Sequence, residues 1–511
     1  MDATVNSTFS SCISRLLMSA RTVSVLPDRD YAVSLAEDFV ISTRPIQRLR
    51  SLRQMGLAYH AHPLAEHTRF SHSIGTCYWA SELFEALTSN QNENSAANRS
   101  AIEQLRAILG ETVSLELLIK MFALIHDIAL LPLGHTLRFQ IEHTHTASTF
   151  RDGLRLCLAQ IFEAIDNDRQ SGSLNSHERD VLKQHLALAE AVAHAPKLLR
   201  GHKLMEPLDG TLGIGDAEIH KALTALTFVY DLVHGVYSAD LIDVCCRDLG
   251  AVGAPWVFPE SLAHAGAISV AQAGTPAFPT NEPSSIASVF RYGIDCRMGA
   301  GRGRSNLLDL ISVHRSRLEL AQKGFYAVRK CIADAMLEKA IRDQNTQSIG
   351  SLESLLGMGD DDLLLHVAEQ GNDQGRSLIS RIRNGTLYEV AFMVDTSRPE
   401  ALEKFAAFAE TSSGKTELEA MIVQGAGISE NGVVVSILPS KMQGKSATTL
   451  VRLVDDEWLP LNEVSARTGL FPEMSSFELQ YQQLRYGIVL IKPEDRDKVK
   501  EVRRYCEECL G

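Results

Sequence analysis

Three short stretches of this chain carry residues able to do metal and phosphate chemistry: Arg69-Phe70-Ser71-His72-Ser73-Ile74-Gly75, then His126-Asp127, then Asp240. Imidazole and carboxylate donors suit first-row divalent ions. His72, His126, Asp127 and Asp240 would form a two-histidine, two-aspartate set with positions left for water and phosphate oxygens. Arg69 stands three residues before His72, on the same helix face, where its guanidinium can hold a phosphate beside the ion. Ion, cationic clamp and open positions together point to hydrolysis of a phosphate ester. A His-Asp pair alone is more simply a buried histidine hydrogen-bonded to its neighbours, so the weight rests on the company that His126-Asp127 keeps.

Such a site needs helices to hold it. His126-Asp127 follows the apolar run Phe122-Ala123-Leu124-Ile125. Adjacent helical side chains diverge by about 100°, yet both reach one ion if the helix end faces a cavity between helices, as in metal-carrying bundles. Apolar residues recur at three and four over 78–84, 115–131 and 217–233, which predicts helices through most of 33–248. Composition turns to Gly, Ala, Pro and Ser from 250 to 303, read as an irregular surface connection over 250–305. One long or broken helix is expected over 307–341, and more helix over 352–382.

From residue 386 the pattern changes. Leu387-Tyr388-Glu389-Val390-Ala391-Phe392-Met393-Val394 alternates like a strand, and 399–409 reads as a helix opened by Pro399. Further strands are expected at 418–423, 433–438, 449–454 and 486–491, with a last helix near 494–509. A chain of 511 residues exceeds one ordinary core. It divides into a mainly helical domain, 1–384, and a smaller α/β domain, 385–511.

The net charge of −13 argues against a generic nucleic-acid surface, which needs clustered Lys and Arg. A small phosphorylated substrate in a locally basic pocket stays open. No basic segment precedes an apolar run at the start of the chain, and the apolar stretch 115–133 is interrupted by Glu116, Lys120, His126 and Asp127. A buried helix fits it better than a membrane span. Nine cysteines without framework spacing fit a reducing cytoplasm, and Cys506-Glu507-Glu508-Cys509 has CxxC form without a second pair. Gly414-Lys415-Thr416 ends like a phosphate loop, but Ala409 stands where its first glycine belongs. Gly425-Ala426-Gly427 has Glu430 in place of a third glycine and reads as a turn between strands. Asp360-Asp361-Asp362 reads as acids at a helix N-terminus.

A longer block gives these residues a family likeness. Pro45-Ile46-Gln47-Arg48-Leu49-Arg50, Arg53-Gln54-Met55-Gly56-Leu57, Pro63 and His67-Thr68-Arg69-Phe70-Ser71-His72-Ser73-Ile74-Gly75 resemble the opening of HD-domain deoxynucleoside triphosphate triphosphohydrolases, the dGTPase and sterile-alpha-motif/HD type. His126-Asp127-Ile128 with Pro132 and His135 is similar to the family's HD segment. Asp240-Leu241-Ile242-Asp243-Val244-Cys245-Cys246-Arg247-Asp248 is similar to its distal aspartate segment. The likeness covers about residues 20–345, weakly over 250–305, and leaves 385–511 unmatched.

The resemblance implies a mainly α HD-domain fold and His72, His126, Asp127 and Asp240 as ligands of a divalent ion such as Mn2+, Mg2+ or Fe2+. It implies Gln54 on the deoxyribose 3′-hydroxyl, Arg69 and Arg317 on phosphate, Asp248 near the sugar, and His135 and His143 as proton-transfer groups, with His145 competing for the second role. A homo-oligomer with a deoxynucleotide substrate, a nucleotide effector and a part in dNTP pool control or antiphage depletion is implied too. The chain departs from the family at Leu130, where an active-site histidine is usual, and at Leu241 and Val244, where a basic residue and a tyrosine are usual. Phe325, or Tyr326 one place on, stands at another usual tyrosine. The leading expectation is hydrolysis of a dNTP to deoxynucleoside and triphosphate. Beside it stand an HD phosphohydrolase for a monophosphate, alarmone or cyclic nucleotide, and a nucleotide sensor without turnover.

Overall fold

The structure, a computed structural model, describes residues 3–134, 149–168, 172–193, 195, 216–279, 287–297, 302–343, 350–438, 448–453, 457–468 and 473–510. It is mainly helical with a few small sheets. The four helices that matter for the site are Arg69–Thr88, Leu115–Ile125, Asp216–His234 and Ala239–Ala251. Three of them start on hydroxyl caps: Thr68, Ser114 and Ser238 accept from the amides of Ser71, Leu117 and Leu241, satisfying donors that a helix start leaves open. Leu115–Ile125 is buried on every side except at Glu116. It therefore sits as a central strut, with Arg69–Thr88 and Asp216–His234 against it and Ala239–Ala251 against Arg69–Thr88. Among the described residues no helix is long and apolar enough to cross a membrane.

Several elements differ from expectation. An antiparallel hairpin, Ser19–Leu26 with Arg29–Ser34, precedes the first site helix. Within 250–305 the chain is not simply irregular: Gly266–Gln272 pairs antiparallel with Ser288–Asp295. The second of these strands pairs in parallel with Leu450–Arg452, which pairs with Trp458–Pro460. Composition hid these strands because their partner lies far along the chain and long-range pairing leaves no local period. Residues 307–341 form a broken helix, Gly303–Leu320 and Val328–Arg342, separated by a wide turn at Ala321–Phe325.

In the C-terminal part, Glu389–Asp395 and Val433–Ile437 flank Tyr486–Ile491, both antiparallel to it. Pro399–Ala409 is helical as the pattern indicates. The strand expected at 418–423 is instead the middle of the helix Ser412–Ala426. Its buried residues Leu418, Ile422 and Ala426 recur every four positions, so the helical period won over a short apolar run that fits either element. Gly427, at φ +61°, ends that helix, so Gly425-Ala426-Gly427 is a helix terminus and not a turn between strands. The last helix is Val499–Leu510, after a tight turn at Pro493–Lys498.

A small core formed by the three-stranded sheet and its helices lies beside the large core of the helical part. Buried charges cross the seam. Glu419 accepts from Lys339 Nζ at 2.8 Å, from Arg342 Nη2 at 2.7 Å and from the Val435 amide at 3.0 Å, while Lys415 pairs with Glu338. That pairing occupies the lysine of Gly414-Lys415-Thr416. Glu419→Ala would leave Lys339 with Asp343 at 3.0 Å and Arg342 with Asp343 at 3.7 Å but remove their shared buried carboxylate, and a loss of about 1–3 kcal/mol of stability in urea unfolding is expected. A loss below about 1 kcal/mol would mean that the seam is held by apolar contact alone.

Candidate metal centre

His72 projects from the first turn of Arg69–Thr88 and is 1% exposed. Its Nδ1–H donates to Asp243 Oδ2 at 2.8 Å, which turns Nε2 towards Asp240 Oδ1 at 3.2 Å and Asp127 Oδ2 at 3.8 Å. His126 caps the end of Leu115–Ile125. Its Nδ1–H donates to the Ala123 carbonyl at 2.8 Å, leaving Nε2 3.8 Å from Asp127 Oδ2. In both rings one nitrogen is fixed by a hydrogen bond and the other faces carboxylate without one: His72 Nε2 and His126 Nε2 are buried and make no hydrogen bond. Buried polar atoms nearly always have a partner, and a second-shell bond on one ring nitrogen with the other left bare is how metal-binding histidines are held. The donor set fits a divalent ion. His72, His126 and Asp127 offer ligand atoms that lie within 4.8 Å of one another.

The charges around this point are arranged for a cation. Burial pulls the His72 imidazole down, but the Asp240 and Asp243 carboxylates outweigh it and hold the group up at about 10. Burial pushes His126 down, which favours the neutral, ligating ring. Asp127 is held well below the usual carboxylate range despite burial, by His126, Arg69 and His72. Asp243 is also held down, by Arg247 and His72, with Arg247 Nη2 donating at 2.9 Å. Asp127 thus stands ionised beside the two imidazoles, with Asp243 ionised behind His72.

The structure brings together the four residues named from sequence as candidate ligands, and sets Arg69 against them. Arg69 Nη1 donates to Asp127 Oδ2 at 2.7 Å and Nη2 to the Gln54 carbonyl at 3.2 Å, so part of the guanidinium is engaged by a ligand carboxylate. Gln54 Oε1, Asp248 Oδ2 and Arg317 Nη1 are buried without a hydrogen bond. Asp248 accepts through its other oxygen from His67 Nε2 at 2.6 Å. Arg317 lies on Gly303–Leu320, which packs on the helix of Asp240 and Asp248. His135 and His143, and the competing His145, lie outside the described residues. Leu241 is buried in the core and Val244 packs against it, while the Leu130 carbonyl accepts from Arg48 Nη2 at 2.7 Å.

Three supports were not named as site residues from sequence. Asp243 reaches His72 only because position 75 is glycine: a Cβ there would fall 1.8 Å from Asp243 Oδ1. Asp243 lies three residues after Asp240 on the same helix, and that spacing was the available signal. His234 Nδ1 stands 2.8 Å from Asp240 Oδ2. His126, His234 and Asp240 form a second group of close ligand atoms. Asp360 is fully buried at the start of Asp360–Gln370, and does more than favour a helix dipole: Oδ1 accepts from the Leu133 amide at 2.7 Å and Oδ2 from the Arg53 amide at 2.8 Å. Leu133 is at φ +57°, a left-handed conformation that a branched side chain adopts only under constraint.

Comparisons with known proteins bear on this geometry. The family model of the HD associated region matches residues 327–510. An uncharacterized protein of Methanocaldococcus jannaschii, MJ1154, is 26% identical over 214 residues, 39% of this chain and 41% of that protein. Deoxynucleoside triphosphate triphosphohydrolase SAMHD1 of Homo sapiens is 40% identical over 63 residues, 12% of this chain and 10% of the human protein. SAMHD1 of Bos taurus is 38% identical over 63 residues, covering 12% and 11%. These matches support an HD-domain family. The chain thus spans less than half of the archaeal relative and about a tenth of the vertebrate ones. The family model covers 385–510, within the part 385–511 in which no likeness was legible from residues alone.

Two outcomes follow from the supports. Asp243→Asn and Gly75→Ala are each expected to weaken divalent-ion affinity by about 10–100-fold, by releasing His72 from its second-shell carboxylate; unchanged affinity in a chelator competition titration would remove Asp243 from the site. Asp360→Asn turns one of two acceptors into a donor facing an N–H. It should cost about 1–3 kcal/mol and speed amide exchange over residues 128–134, with Leu133→Gly in the same background recovering part of the loss. Unaltered exchange would show that Asp360 does not hold the turn.

Proposed function

We propose that this chain is a metal-dependent deoxynucleoside triphosphate triphosphohydrolase, which adds water to the α-phosphorus and breaks the bond to the 5′-oxygen, releasing deoxynucleoside and triphosphate. The observation that carries the reading is the convergence of His72, His126, Asp127 and Asp240 with Arg69 hydrogen-bonded to Asp127. A divalent ion bound there supplies Lewis acidity to a phosphate oxygen. The chain supplies the rest. Arg69 keeps N–H groups beyond the two engaged by Asp127 and Gln54, and a guanidinium presents five, so it can also offset phosphate charge. Arg317 Nη1, buried and without a hydrogen bond, is a second cationic group with donor capacity for the triphosphate.

The sugar end has its own unspent groups. Gln54 Oε1 and Asp248 Oδ2 are acceptors without donors, suited to a hydroxyl such as the deoxyribose 3′-OH, and the cost of burying them bare is recovered when that hydroxyl is present. His135 or His143 would protonate the departing 5′-oxygen as general acid. A second reading, the same centre acting on a monophosphate, alarmone or cyclic nucleotide, is favoured by one observation: apolar Leu241 and Val244 pack into or against the core where the resemblance leads one to expect polar contacts with substrate.

The test is a hydrolysis panel with Mn2+, dNTPs singly and mixed beside those other nucleotides, with products separated by anion exchange. Free triphosphate from a dNTP is expected. Asp127→Ala should lose turnover by at least about 10³-fold, the scale of removing a group that acts in a unit. Release of monophosphate or pyrophosphate only, or wild-type-like turnover in that variant, would sink the proposal. A chain that binds the ion and a nucleotide but cleaves none would be a sensor.

A further inference from the structure

The corner joining two helices of the site holds a residue that no motif singles out. His234 is the last residue of Asp216–His234, and Asp240 the second of Ala239–Ala251. The turn between them is fixed at both ends. Ser238 Oγ donates to the Gly235 carbonyl at 3.1 Å and accepts from the Leu241 amide at 3.4 Å. A Cβ on Gly235 would come within 2.5 Å of the Asp231 carbonyl oxygen, so the tight exit from the helix requires glycine. The offset between His234 and Asp240 is therefore set by backbone, which is the kind of support that holds ligands in place.

The nitrogen at that corner has the signature of the two metal-facing nitrogens. His72 Nε2, His126 Nε2 and His234 Nδ1 are all buried, and none makes a hydrogen bond. His234 Nδ1 is only 2.8 Å from Asp240 Oδ2, yet the pair lacks hydrogen-bond geometry. Close approach without a hydrogen bond is what donors show when they converge on a third atom. The His126 ring lies between the other two, with its centroid 5.4 Å from each. His126, His234 and Asp240 present donor atoms within 4.8 Å of one another, as do His72, His126 and Asp127. The two groups share His126, whose Nδ1–H is spent on the Ala123 carbonyl. Its single remaining lone pair holds one ion, so the groups are two sides of one site and not two sites.

We infer that His234 is a third imidazole ligand of the ion held by His72, His126, Asp127 and Asp240. The inference rests on the metal centre of the proposed hydrolase and not on its substrate. Three nitrogens and two carboxylates bias the site towards first-row transition ions over Mg2+, which takes oxygen donors and keeps its waters. Five protein donors also leave an octahedral ion a single position for water or a phosphate oxygen. With a side chain 34% exposed, His234 is the solvent-facing ligand of the set.

The full chain, stripped of metal and reloaded with Co2+, tests this without any nucleotide. Wild type is expected to bind one Co2+ per chain. In His234→Ala and His234→Gln the visible ligand-field spectrum should change and Co2+ affinity fall by about 10–100-fold, while Mg2+ affinity falls by less than about threefold. Melting temperatures of the metal-free forms separate ligand loss from misfolding, and the longer glutamine keeps the corner filled. An unchanged Co2+ spectrum and affinity in both variants overturns the inference. So does a wild type that binds two ions and loses one in the variants. A chain that loads Co2+ through His234 but cleaves no dNTP refutes the substrate reading alone; one that releases triphosphate while the variants keep the wild-type spectrum refutes the ligand role alone.

Discussion

The helices Arg69–Thr88 and Ala239–Ala251 approach so closely at Gly75 that no side chain fits between them, and the space is taken by the Asp243 carboxylate. That approach decides what His72 can be. With Nδ1–H held at 2.8 Å by Asp243, the ring has one orientation and one tautomer, and its other nitrogen is delivered to Asp127 and Asp240. The same helix contributes Arg69 one turn earlier, so Arg69 and His72 share a rigid body. Asp240 and Asp243 likewise share theirs. The geometry of the site thus reduces to one helix–helix contact and the two helix ends, at His126 and His234, that close on it.

A site of this kind is expensive to bury. Asp127, Asp240 and Asp243 bring three carboxylates into a region walled by apolar helix, and each charge removed from water costs several kcal/mol, on the order of a whole domain's margin, unless paired. Arg247 and the His72 ring compensate Asp243. Arg69 compensates Asp127. The His72 and His234 rings stand 3.2 and 2.8 Å from the Asp240 carboxylate. A divalent cation bound among these carboxylates and imidazoles would add positive charge where three acids meet.

How much of this can be read from residues alone divides along a physical line. The grouping of His72, His126, Asp127 and Asp240 with Arg69 was legible because ligand chemistry restricts residue types, and helical spacing puts Arg69 and His72 on one face. Asp243 was visible only as a neighbour of Asp240, because its role depends on how near another helix comes. His234 was invisible for the same reason: a histidine ending an apolar helix has no meaning until Gly235 and Ser238 set the corner. The hairpin 266–295 was missed because its third partner, Leu450–Arg452, comes from the far end of the chain. The helix Ser412–Ala426 was misread because a short apolar run satisfies both periods.

The likeness legible in the residues ends near 345, and the structure ties a stretch just beyond it to the site. Residues 327–510 match the HD associated region, and Met358 and Asp360 lie within it. The Met358 carbonyl accepts from Arg48 Nη1 at 3.3 Å, while Arg48 Nη2 holds the Ile128 and Leu130 carbonyls at 3.0 and 2.7 Å. Asp360 holds Leu133 and Arg53 by their amides. The segment that leaves His126-Asp127 and the segment that carries Gln54 are therefore fastened to each other by residues of the associated region. Leu133 could relax from φ +57° if that fastening were absent, and the walls on either side of Arg69 would be free to part. The shape of the walls around Arg69 thus depends on Asp360 and Met358, which lie within the stretch that matches the associated region.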